Sequence, residues 1–151
     1  MNLLEITARP DPLLMDMRIL VIDDEPAALK IIQDMLFGLG VTQVLATTSA
    51  FKGRDAVMSG PEGVINLVMC DLRMPGLSGL EFLREVRAAR PELPFLMITG
   101  AADPQSVIAA KDSGVTAYLR KPFSTSELMK KLTTIARIQA HRQAQATRPA
   151  A

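Results

Sequence analysis

The sequence predicts an α/β domain: a five-stranded parallel sheet with helices packed on both faces. Two observations carry this. Five short apolar runs recur along the chain, with helically spaced segments between them. Several of the runs are continuous rather than alternating, which suits strands covered on both faces. Strands and helices that alternate with short connections call for right-handed crossovers in one layered domain.

The elements follow in order. Residues 1–16, with Pro10 and Pro12 and no clear periodicity, read as an arm from which Leu13 and Leu14 pack on the body. The strand runs are RILVI (18–22), VLAT (44–47), VINLVM (64–69), FLMI (95–98) and AYL (117–119). The first helix, Pro26 to Leu39, repeats apolar side chains at Leu29, Ile32, Leu36 and Leu39, with Pro26 in its first turn and Gly38 and Gly40 at its end. A second, weaker helix covers about Ala50 to Ser59. In the third, Leu80 to Ala89, the residues Leu80, Leu83 and Val86 share one face. Arg84, Arg87 and Arg90 share another, which reads as a solvated face rather than a binding strip. A fourth helix begins near Asp103-Pro104 and stops at Gly114. The fifth opens with Ser124-Thr125-Ser126-Glu127, a capping-box pattern, and its expected buried stripe is Leu128, Leu132, Ile135 and Ile138. Beyond Ile138 the polar, alanine-rich sequence reads as a helix fraying into a tail. The expected organisation is an arm (1–16), one domain (17–138) and a tail (139–151).

Composition narrows the function. With 151 residues, 48% hydrophobic and 22% charged, the chain holds enough apolar content for one core. A net charge of +1 argues against binding nucleic acid by phosphate neutralisation and against a polybasic membrane surface. The lone cysteine, Cys70, cannot form an internal disulfide, and no Cys/His cluster suits zinc. No apolar run approaches the ~18 residues of a membrane span. The opening MNLLEITARPDP lacks the basic and apolar regions of a secretory signal, so the expected compartment is the cytoplasm.

Ligands of open parallel sheets bind at the carboxyl ends of strands. After strand one stand Asp23, Asp24 and Glu25; after strand three, Asp71; after strand four, Thr99; after strand five, Lys121-Pro122. Taken singly, most have a plain structural reading. The acidic triplet could cap the first helix, Thr99-Gly100 could end a strand, and Lys121 could be a surface residue. Asp71 differs, because a carboxylate at the end of a buried run needs a partner. Asp23 and Asp24 nearby would raise its pKa, and Lys121 supplies only one positive charge. A hard divalent cation, Mg²⁺, resolves the imbalance economically. A carboxylate nucleophile, a metal, a hydroxyl and a lysine together suit phosphoryl transfer to a carboxylate.

The motifs DDE (23–25), VMCDLRMPGLSG (68–79), MITG (97–100) and RKPF (120–123) resemble the response-regulator receiver domain of two-component signalling, in its chemotaxis-regulator-like form. The likeness runs from about Met17 to Ile138. It implies a flavodoxin-like (βα)₅ fold of strand order 2-1-3-4-5, and a sensor histidine kinase or phosphotransfer protein that donates a phosphoryl group to Asp71. Carried over residue by residue, Asp71 is the phosphoacceptor, Asp24 a direct Mg²⁺ ligand, Asp23 a ligand through water and Arg73 a ligand through its backbone carbonyl. Thr99 and Lys121 would bind the phosphoryl group, and Tyr118 stands where the family has its switch aromatic. Pro75 and Gly79 match the loop after the acceptor, and the Lys121-Pro122 bond is expected to be cis. Output is expected through the face of helix four, strand five and helix five, to a protein target rather than DNA or membrane, with pairing of two copies on phosphorylation.

Met69 and Cys70 read as core residues of strand three, and His141 lacks the four-helix setting of a phosphohistidine. Arg73 and Ala101, each two residues past a site residue, are the positions expected to set the phosphoryl lifetime. Arg73 can shield in-line water, and Ala101 offers no group to orient one. The expectation is thus a stand-alone receiver with no activity beyond self-phosphorylation and self-dephosphorylation. The alternatives are a receiver excised from a larger regulator, a pseudo-receiver that only binds partners, and a haloacid-dehalogenase-type phosphatase. The phosphatase would place its nucleophile after the first strand, whereas Asp71 follows the third.

Overall fold

The computed structural model describes residues 11–100 and 104–147. A one-turn helix, Pro12–Met15, leads into β1 (Arg18–Ile22). There follow α1 (Pro26–Gly38), β2 (Gln43–Thr47), α2 (Ala50–Ser59), β3 (Leu67–Asp71), α3 (Gly79–Ala89), β4 (Phe95–Thr99), α4 (Pro104–Asp112), β5 (Ala117–Arg120) and α5 (Thr125–Ala146). All strands are parallel, in the order β2-β1-β3-β4-β5. The chain therefore winds in one direction from β1 to β2 and in the other from β3 onward, and the switch point lies between β1 and β3.

The strand period of two sorts the core into two layers. Ile19, Val21, Leu67, Met69, Leu96, Ile98 and Leu119 face α1 and α5, whose Leu29, Ile32, Leu36, Leu128, Leu132 and Ile135 complete that layer. Leu14 of the one-turn helix is buried in it and Leu13 packs against it, as the arm reading expects. On the other face Leu20, Ile22, Val68, Cys70, Phe95 and Met97 meet α2 and α3 through Ala50, Val57, Phe82, Leu83 and Val86. Phe82 and Phe95 pack edge to face there, with ring centroids 5.7 Å apart. Met69 and Cys70 are core residues, as their place in the run suggests.

Helix ends follow local chemistry. Ser49, Ser78 and Ser124 each accept a hydrogen bond from a backbone N–H in the first turn, and Ser124 with Glu127 closes the full capping box. The start of α1 behaves differently. Glu25 is its N-cap without a side-chain cap bond, and Pro26 occupies its first turn. The acidic triplet is therefore not a side-chain cap.

Four readings need correction. β3 starts at Leu67 rather than Val64, because Asn66 turns its side chain to the backbone: its Oδ1 accepts from Arg18 N (2.7 Å) and its Nδ2 donates to Asp16 O (3.0 Å). Val64 is left exposed. The arginine row of α3 is a solvated face only in part: Arg84 is exposed, while Arg87 and Arg90 are half-buried. Arg87 donates to Leu93 O (2.6 Å), Gly114 O (2.7 Å) and Thr116 Oγ1 (3.2 Å), Arg84 to Ser113 Oγ (3.2 Å), and Arg90 pairs with Glu62 (3.1 Å). These side chains tie loops to the helix. In α5 the stripe closes on Ala136, while Ile138 falls outside it and is exposed. The helix itself continues to Ala146, held by Gln139 Nε2 on Asn66 O (3.1 Å) and Arg142 on Glu92 (3.2 Å).

Candidate functional site

Parallel register alone assembles the site. Ile22 lies beside Cys70, so the next residues, Asp23 and Asp71, emerge side by side. Asp71 pairs with Ile98 and Thr99 with Arg120, which brings Thr99 and then Lys121 to the same edge. Asp23, Asp71 and Lys121 share the parity of Val21, Met69 and Leu119, and so leave the sheet on the α1/α5 side. Thr99 shares the parity of Met97, whose partner across the ladder is Tyr118; it belongs to the opposite face.

Among the described residues the buried polar side chains are Asp23 and Thr99, each about 1% exposed. Both belong to this cluster. Carboxylate oxygens of Asp23, Asp24 and Asp71 lie within 4.8 Å of one another. Lys121 Nζ donates to Asp23 Oδ2 at 2.6 Å and to Asp71 Oδ2 at 3.3 Å. The lysine is thus held first by Asp23, a contact that motif matching alone does not supply. Asp23 Oδ1 accepts from Glu25 N (3.0 Å), and Asp71 Oδ1 accepts from Arg73 N (3.3 Å), so each carboxylate orders the loop that follows it. Lys121 N donates to Thr99 O at 2.7 Å, which fastens the turn after β5 to the end of β4. The Lys121-Pro122 bond in that turn is cis.

Burial pushes the Asp71 carboxyl above the usual carboxylate range; Lys121 and the Arg73 N–H oppose this without cancelling it, and Asp23 adds to it. For Lys121, burial alone would lower the ammonium. The hydrogen bond to Asp23 and the charges of Asp71 and Asp23 outweigh burial and raise it. A donor set of carboxylates with one ammonium leaves negative charge unbalanced, and oxygen-only ligands of this kind fit a hard divalent cation such as Mg²⁺.

The acceptor loop is packed tightly. Leu72 N donates to Ile98 O (2.8 Å) and Gly79 N to Leu72 O (2.9 Å), with Leu72 and Leu77 buried beneath. Gly79 is required by space: a Cβ there would collide with the Asp71 carbonyl oxygen and lie 2.9 Å from Leu72 Cα. Tyr118 packs against the α2/α3 layer, and its buried hydroxyl has no hydrogen-bond partner among the described residues. Ala101 lies outside the described residues. His141 sits on the exposed end of α5 beside Gln145, far along the chain from the cluster. Two contributors escaped sequence reading: the capture of Lys121 by Asp23, and the packing of the loop by Gly79 against the Asp71 backbone. The second was signalled only as part of a motif.

Comparison with known proteins agrees with this geometry. Residues 19–133 match the model of the response regulator receiver domain. The chain is 36% identical to the chemotaxis protein CheY of Pseudomonas aeruginosa over 121 residues, 79% of this chain and 95% of that protein. It is 34% identical over 114 residues to the transcriptional regulatory protein ZraR of Salmonella typhimurium, covering 76% of this chain but only 25% of ZraR. A crystal structure of a receiver domain protein from Clostridium thermocellum superposes with a TM-score of 0.76 at 31% identity, covering 82% of this chain and 97% of that one. Its nucleophile candidate on the third strand, its sheet order and these likenesses leave one family to which the chain belongs, the response-regulator receiver domains of two-component signalling.

Proposed function

We propose that Asp71 accepts a phosphoryl group from the phosphohistidine of a sensor histidine kinase or phosphotransfer protein, and that the resulting aspartyl phosphate switches protein binding. The observation that carries this reading is the Asp71 carboxylate at the end of a buried strand, paired to Lys121 and set among Asp23 and Asp24. An Asp71 oxygen attacks phosphorus as the phosphorus–nitrogen bond of the donor breaks, and the electron pair returns to the imidazole. Asp24 and Asp71, with the Arg73 carbonyl, would hold Mg²⁺ directly, and Asp23 through water. When bound, the metal neutralises charge on the phosphoryl oxygens. Lys121 exchanges its contact with Asp71 for one with a phosphoryl oxygen, and the Thr99 hydroxyl hydrogen-bonds another. Because Thr99 and Tyr118 share one face of the sheet, a movement of Thr99 reaches the Tyr118 side of β5.

The donor protein docks beside the site. An apolar cleft of about 390 Å³, lined by Ala28, Ile31, Met35, Pro122 and Phe123, has Lys121 on its wall. A phosphohistidine brought in line with Asp71 must cover this rim. The output target uses the α4, β5 and α5 face, where Ile108 and Met129 are exposed, and a second copy is a further partner on phosphorylation. Among the described residues no helix is long and apolar enough to cross a membrane; the reading is a cytoplasmic switch with no chemistry beyond its own phosphorylation and dephosphorylation. The test is acetyl phosphate with Mg²⁺ and no kinase. Wild type should gain a hydroxylamine-sensitive phosphoryl group and Asp71→Asn should not. Equal labelling of both would overturn the assignment.

A further inference from the structure

Phe51, in the first turn of α2, is 49% exposed. The ring lies against the acceptor loop: a Cβ on Gly76 would stand 3.0 Å from Phe51 Cε2. Gly76 has φ +84°, so the turn favours glycine by conformation, and the Phe51 ring lies in tight contact with it. The Arg54 guanidinium sits 5.1 Å from the ring centroid, and Arg54 Nη1 lies 3.7 Å from Glu85 Oε1 on α3. A continuous bridge therefore runs from Gly76 through Phe51 and Arg54 to Glu85. It joins α2, the outer side of the acceptor loop and α3.

The position of Phe51 is itself fixed. Thr47 Oγ1 accepts from Ser49 N (3.1 Å) and Ser49 Oγ from Lys52 N (3.2 Å), which locks the start of α2 to the end of β2. Gly53, whose Cβ would run into Ile22, lets the helix lie close on β1. The inner side of the acceptor loop is held by its own backbone bonds and by buried Leu72 and Leu77. Its outer side has Phe51.

We infer that Phe51, backed by Arg54, is a positioning residue for the phosphoryl and metal site: it clamps the Gly76 turn and so fixes the segment that carries Arg73. The inference rests on the receiver reading given above, in which the Arg73 carbonyl serves the metal. It adds a residue outside that ligand set.

Two measurements test it, on wild type, Phe51→Ala, Phe51→Tyr, Arg54→Ala and, as an exposed-aromatic control, Phe37→Ala. The first is Mg²⁺ affinity by calorimetry. The second is amide hydrogen exchange of the metal-free proteins, read at Arg73 and Leu77 against the β1 amides. Phe51→Ala should weaken Mg²⁺ about three- to tenfold and speed exchange at the loop amides, with β1 unchanged. Phe51→Tyr should restore both, Arg54→Ala should give a smaller loss, and Phe37→Ala should match wild type. If wild type binds Mg²⁺ and Phe51→Ala binds it equally, with unchanged loop exchange, the clamp is refuted. If wild type binds no Mg²⁺, the metal reading fails, and the exchange comparison alone decides the clamp: faster loop exchange in Phe51→Ala upholds it and unchanged exchange rejects it.

Discussion

Replacing Asp71 by Asn removes one negative charge from the cluster and keeps its shape, so metal-free and metal-bound proteins should respond in opposite directions. The Asp71 carboxyl is held above its unfolded value by burial, with Lys121 only partly offsetting this. Its contribution to stability is therefore complete below the ordinary carboxylate pKa of about 3.9, and is lost as the pH rises through the higher folded value. At neutral pH and with EDTA, Asp71→Asn should be the more stable protein, by about 1 kcal/mol, or about 3 °C. The gap should close as the pH falls toward the ordinary carboxylate range. Saturating Mg²⁺ reverses the order. At a hundred times its dissociation constant, the ion stabilises wild type by about 2.7 kcal/mol. With 151 residues, the unfolding entropy is about 0.3 kcal/mol/K, so Tm should rise by about 8 °C. Losing a direct ligand costs at least the tenfold typical of outer-shell losses, which limits the variant to about 4 °C at the same Mg²⁺. Differential scanning calorimetry of both proteins, with and without Mg²⁺, at neutral and acid pH, reads all four quantities. A variant less stable than wild type in EDTA at neutral pH, or stabilised equally by Mg²⁺, would refute the charge argument.

Gly79→Ala should destabilise by about 1–3 kcal/mol, seen as a lower urea midpoint, because the added methyl meets backbone at the Asp71 carbonyl and Leu72 rather than a flexible side chain. The same variant should weaken Mg²⁺, since the displaced strand end carries Asp71; unchanged affinity would show the loop to be less rigid than its packing implies. For the phosphorylated protein, slow decay is expected. Arg73→Ala and Ala101→Glu should each hasten it, the first by opening a path for in-line water and the second by adding a carboxylate to orient that water. Decay rates of the purified phosphoproteins that match wild type in both variants would sink the lifetime argument.

Most of the fold and the cluster were legible in sequence because they rest on short-range rules. Five apolar runs mark the strands, and the strand ends by themselves point to Asp23, Asp71, Thr99 and Lys121. What stayed hidden depends on long-range partners. Asn66 sits inside an apolar run, and only its contacts to Arg18 and Asp16 explain why the strand starts after it. An arginine every three residues looks like a wet face, but the loops that lead into β4 and β5 end on Arg87. The choice of Lys121 for Asp23 over Asp71 follows from burial, which sequence does not show. Phe51 likewise looks like one more surface residue of a weak helix until Gly76 is seen beneath it.

The arginine ties on α3 have a mechanical meaning for its neighbour α4. Arg84 and Arg87 grip the end of that helix at Ser113, Gly114 and Thr116, and Thr116 Oγ1 in turn accepts from Phe95 N (2.9 Å) in the middle sheet. At the opposite end, Pro104, Gln105 and Ser106 border an open cleft against Leu80, and Ala110 is the buried residue of the helix. The end at Ser113 is tied to α3 by side chains, and the end at Pro104 borders the cleft. The tie sits at Gly114, where φ of +87° turns the chain toward β5. The ties join the Gly114 end of α4 to α3 and, through Thr116, to the start of β4, so a shift of α4 as a whole would have to carry α3 and the Phe95 end of the strand with it.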